Sequence, residues 1–126
     1  MKFKEEKLQA RLLKDEFFKL DPMLQMILCA MNLYTETFIG KEITLTSLIR
    51  KDNKKSPHYY GRGADIRSFD FTKKEIEHLL SYINEKFIYD ENRPNLKTLI
   101  CHDARQGIHL HAQVMDYHRM NNARAK

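Results

Sequence analysis

Glycine and proline are scarce, with four glycines and three prolines among 126 residues. That leaves no stretch from which a flexible linker could be built, and no repeat or low-complexity tract is evident. The longest apolar run, Met23 to Leu33, is interrupted by Gln25 and Asn32. It is too short to span a bilayer, which takes about 20 apolar residues. Met1-Lys2-Phe3-Lys4-Glu5-Glu6 lacks the apolar stretch of a signal peptide. The expectation is a protein that is cytoplasmic as synthesised and has no membrane partner, and that either acts inside the cell or is released on lysis. Two cysteines do not make a disulfide framework. Cys29 lies in the apolar run and is expected to be a buried thiol. Cys101 is expected to be a buried strand residue, ahead of a metal or nucleophile role beside His102 and His109.

What is present suits one soluble domain over 1–126: 42% of residues are hydrophobic and 31% charged. The formal net charge is +5. Basic residues gather at Lys2, Lys4 and Lys7, at Arg50, Lys51, Lys54 and Lys55, and at Arg119, Arg124 and Lys126. Such clusters are either a solvated surface or an attraction to a polyanion, nucleic acid or an acidic cell-wall polymer. No aromatic–basic motif accompanies them, which argues against nucleic acid. Nothing in the sequence fixes an oligomeric state.

The chain reads as helices first, then strands around one helix. Leu8, Leu12, Leu13 and Phe17 predict a helix over 4–20. Asp21-Pro22 predicts a cap and a second helix to about residue 35, apolar nearly all round and therefore buried. Residues 1–37 thus form an N-terminal helical part. Strands are expected over 42–48, with Ile43 and Leu45 on one face, and over 64–66. Thr72 and Glu75 spell a capping box for a helix over 72–87 with a stripe of Ile76, Leu79, Leu80, Ile83 and Phe87. His78 lies off that stripe, at the surface. A further strand is expected at 87–89, then two over 96–101 and 108–114 joined by a turn through 102–107. Residues 116–126, with His118, read as a polar tail. The order implies α+β with a small, largely antiparallel sheet.

Two stretches carry chemistry. In Ser56-Pro57-His58-Tyr59-Tyr60-Gly61-Arg62-Gly63-Ala64-Asp65, an imidazole and a carboxylate are separated by two glycines that let the backbone fold back. Asp65 would sit on a strand and face His58, with Ile66 turned into the core. In Ile108-His109-Leu110-His111-Ala112, alternation puts His109 and His111 on one strand face. Two histidines and one aspartate suit a catalytic zinc ion, which keeps a fourth position open. Spacing leaves open which histidine of the pair is the ligand and which contacts substrate.

Ser56-x-His58-x-x-Gly61-x-x-x-Asp65, followed by His109-x-His111, resembles the zinc D-alanyl-D-alanine carboxypeptidases and L-alanyl-D-glutamate endopeptidases. That superfamily includes vancomycin-resistance dipeptidases, phage endolysins and the signalling domain of hedgehog. The resemblance covers roughly residues 43–114. It implies the hedgehog/DD-peptidase fold and a zinc-dependent peptidase cleaving peptidoglycan stem peptides. It implies His58, Asp65 and His111 as zinc ligands, with Arg50 and Ser56 holding substrate and Arg50 pairing with a carboxylate. His109 would hydrogen-bond the developing oxyanion. The family usually has Ala where this chain has Gly63. It also places an acidic general base shortly before the last histidine ligand. Here Arg105 and Ile108 stand in that stretch and Asp103 is the nearest acid, so Asp103 is the expected base, with His102 and His109 as alternatives. Without a working base the implied alternative is a non-catalytic zinc-binding module, such as a phage structural or interaction protein.

Overall fold

Apolar residues at helical spacing and short alternating runs assemble here into three helices on a five-stranded sheet. The computed structural model describes residues 1–4, 7–104 and 107–116, and the side chains of all of these except 7–11 and 103–104. The elements are β1 (Lys2–Phe3), α1 (Lys7–Phe17), α2 (Pro22–Phe38), β2 (Thr44–Ser47), a 3-10 turn (Pro57–Tyr60), β3 (Gly63–Arg67), α3 (Lys73–Lys86), β4 (Leu99–Ala104) and β5 (Gly107–Gln113). The class is α+β, as expected. The strand order is β1-β2-β3-β5-β4. β1 runs parallel to β2 and every other pair is antiparallel, so the sheet is mixed. No helix among the described residues is long and apolar enough to cross a membrane.

Local chemistry sets the helix starts. Asp21 caps α2 by accepting from the Met23 amide at 2.9 Å, with Pro22 in the first turn. Thr72 and Glu75 form the reciprocal capping box of α3. Leu24, Ile27, Leu28 and Met31 of α2 and Leu79 and Ile83 of α3 pack with Ala64, Ile66, Leu99, Leu110 and Ala112 of the sheet. Tyr34 stacks on Tyr82, centroids 4.4 Å apart, and ties α2 to α3. The helices therefore cover one sheet face. Asp65, His109 and His111 alternate with the buried Ile66, Leu110 and Ala112 and lie on the other.

Several expectations need correction. Strand β1 pairs with β2 through Lys2 and Phe3, where a helix was expected to begin soon after. α2 is not buried all round: Met26 and Leu33 are exposed, and so is Cys29. Cys101 is exposed as well, because β4 is the edge strand. Phe87 to Tyr89 form no strand. The supposed turn through 102–107 is shorter, since β4 runs to Ala104 and β5 starts at Gly107. His78 is exposed, as expected. Residues 117–126, with His118 and most of the expected tail, lie outside the described residues, as does Arg105.

Candidate metal centre

The turn that presents His58 is built by its own sequence. Ser56 Oγ accepts from the His58 amide at 3.3 Å, and Pro57 occupies the first position of the 3-10 turn. Gly61 ends the turn at φ 70, a left-handed conformation that favours glycine. Its carbonyl accepts from the Asp21 amide at 2.9 Å, so the turn is pinned to the α1–α2 junction. The Arg50 amide donates to the His58 carbonyl at 3.1 Å. Ser56 thus has a capping task here whatever else it does.

Asp65 and His111 are register partners on the adjacent strands β3 and β5. With the turn they bring His58, Asp65 and His111 together as a buried cluster that could hold a metal ion. Asp65 Oδ1 lies 3.2 Å from His58 Nε2 and 3.0 Å from His111 Nδ1. Two atoms each about 2.0–2.1 Å from a tetrahedral zinc stand about 3.3 Å apart, so these separations suit one shared ion.

The outward nitrogens decide what sits between the three. His58 Nδ1 donates to the Leu48 carbonyl at 2.6 Å, because a carbonyl can only accept. His111 Nε2 lies 3.2 Å from Gln113 Oε1. That amide is oriented by its own Nε2, which donates to the Lys97 carbonyl at 3.0 Å. Each ring therefore spends a proton on its outer partner, and its inner nitrogen faces a carboxylate oxygen. That inner nitrogen is the one each ring could offer to a cation shared with the carboxylate. The donor set fits a cation, and the Leu48 and Gln113 contacts are the outer hydrogen bonds that ligating histidines usually make.

Burial pushes the Asp65 carboxyl up, but hydrogen bonds from His111 and His58 and their charge outweigh it and hold it well below the usual carboxylate range. Burial, then His109 and His111, push the His102 imidazole down, so it stays neutral at neutral pH.

A cleft of about 300 Å³ opens over the cluster, and Arg50, Ser56, His102 and His109 help to line it. Arg50 is half-exposed, with a guanidinium nitrogen 4.0 Å from Asp65 Oδ2. His109 Nε2 is 3.6 Å from Asp65 Oδ1. His102 is the register partner of His109, and their ring centroids are 4.2 Å apart. Asp103 pairs through its backbone with Ile108, and its side chain lies outside the described residues. Sequence reasoning missed Gln113, though it follows His109 and His111 at the same alternating spacing. It also put His102 in a turn, because the polar run after Cys101 hides the strand.

Compared with known proteins, the chain matches no protein-family model, no curated protein and no solved structure.

Proposed function

We propose that this protein is a zinc-dependent peptidase that cleaves peptidoglycan stem peptides, as a carboxypeptidase or an endopeptidase, on the hedgehog/DD-peptidase fold. The observation that carries the reading is the buried His58–Asp65–His111 cluster under an open cleft with Arg50 on its wall. Two imidazoles and one carboxylate are a ligand set of catalytic zinc. A zinc ion held there would supply a Lewis acid for a peptide carbonyl and activate water near neutral pH.

The chain's own residues do the rest. Arg50 grips a substrate carboxylate with its planar fork, since its one ion-pair partner among the described residues, Asp65, is a distant 4.0 Å away. Ser56 presents its hydroxyl to the cleft while capping the turn. His109 donates to the oxygen on which negative charge develops. The proton acceptor comes from β4, where His102 lines the cleft beside its register partner His109, while Asp103 pairs with Ile108 at the alternate position of the strand. The substrate is an acidic polymer and the chain is basic. The protein reaches that polymer on lysis.

A non-catalytic metal module is the second reading, favoured by one observation: among the described residues lining the cleft, Asp65 is the one acid. Incubation with purified stem peptides and zinc, followed by mass, separates the two. Cleavage that is lost in His111→Ala supports the peptidase. Among the base candidates, the residue whose change (Asp103→Asn or His102→Gln) keeps the metal but slows turnover by about 10²-fold or more is the acceptor. No cleavage of any stem peptide by zinc-loaded protein leaves the second reading.

A further inference from the structure

We propose that Asp65, His102 and His109 form a second, weaker site for a divalent cation of the zinc, copper and nickel class. Each offers one ligand atom, and these atoms all lie within 4.8 Å of one another. The arrangement is set by the backbone. His102 and His109 are register partners on β4 and β5, so pairing places both on one sheet face. Their rings meet at 4.2 Å between centroids and 69° between planes, and His109 Nε2 stops 3.6 Å from Asp65 Oδ1. That gap is too long for a hydrogen bond and close to the roughly 3.3 Å between two ligands of one tetrahedral ion. Neither ring makes a hydrogen bond among the described residues, so neither must break one to bind.

Imidazole nitrogen selects the borderline metals over magnesium or calcium, which want oxygen. Both triads share the Asp65 carboxylate, and paired ions about 3.5–4 Å apart are a workable arrangement. One carboxylate between two dications makes the second ion the weaker, helped by hydroxide or chloride from solvent. The second site rests on the first only through Asp65. Its functional consequence rests on the peptidase reading: an ion on His109 removes the donor proposed for the oxyanion, so excess zinc slows turnover.

The test is a titration of metal-free full-length protein with cobalt, followed by visible absorption, and with zinc against a chromophoric chelator. The parent should take two ions, the second at least about tenfold more weakly. His102→Ala and His109→Ala should each keep the tight ion and lose the weak one, with melting curves like the parent's. Should either melt differently, His102→Gln carries the same expectation. A parent that saturates at one ion, or variants that still take two, overturns the proposal. His58→Ala separates the two sites. Loss of the tight ion there, with His102→Ala unchanged from the parent, sinks the second site alone. A tight ion that survives both His58→Ala and His111→Ala, with the weak ion still lost in His102→Ala, sinks the first centre and keeps the second.

Discussion

The Leu48 carbonyl stands 2.6 Å from Nδ1 of His58 and fixes which nitrogen of that ring faces Asp65. Gln113 does the same for His111 from the far side of the cluster, at 3.2 Å. The ligands are thus aimed before any ion arrives, which lowers the cost of binding one.

Gln113 is the part of this support that a substitution can remove. Gln113→Ala should leave the fold intact and weaken metal binding by about 10–100-fold, the usual effect of losing an outer hydrogen bond to a ligand. Chelator competition at fixed pH measures it. Unchanged affinity would mean that His111 is oriented by packing alone.

Gly63 has ordinary backbone but little room. A Cβ there would come 3.1 Å from the His58 amide nitrogen, 3.2 Å from His111 Cε1 and 3.3 Å from Pro57 Cβ. Gly63→Ala, the residue usual in the family that the motif resembles, should shift His111 or the turn by a few tenths of an ångström. The expected result is a loss of about 1–3 kcal/mol in denaturant unfolding together with weaker metal binding. A variant as stable and as metal-avid as the parent would show that the turn retreats freely.

The lowered Asp65 carboxyl predicts the acid limb of stability. An unfolded aspartate titrates near about 3.9, and the folded value lies below it. The stabilising contribution is therefore complete above about pH 4 and is lost as pH falls through the folded value. Urea midpoints of metal-free parent should drop more steeply with acid in that window than those of Asp65→Asn. Parallel profiles would contradict the charge pairing with His58 and His111.

Much of this was legible in the sequence because it is local. The Asp21 cap, the Thr72–Glu75 capping box, the glycine-ended turn at Gly61 and the alternation around Asp65 and His111 are each written within a few residues. β1 was not legible, since two residues carry no periodicity and its partner Thr44 is distant in sequence. Cys29 was misplaced because an apolar helix hides which of its faces meets the core. His102 was misplaced because Asp103, Ala104 and Arg105 look like a turn, while the pairing with β5 carries the strand on to Ala104.

Arg50 should matter to substrate and little to folding, being half-exposed at the cleft. Arg50→Ala should change stability by less than about 1 kcal/mol, as surface changes do. It should lower kcat/KM for a peptide with a free carboxylate and leave an amidated analogue little affected. Equal loss on both peptides would remove the carboxylate from its role.

The most direct measurement is elemental analysis of the protein after mild chelation and zinc reloading, with X-ray absorption at the zinc edge. At a zinc level that fills the tight site alone, the parent should hold one zinc ion per chain, in nitrogen and oxygen ligation with an imidazole signature. His58→Ala and His111→Ala should hold none tightly, and His109→Ala should keep it. A parent that retains no zinc, or a tight ion that survives both His58→Ala and His111→Ala, would contradict the assignment of this centre.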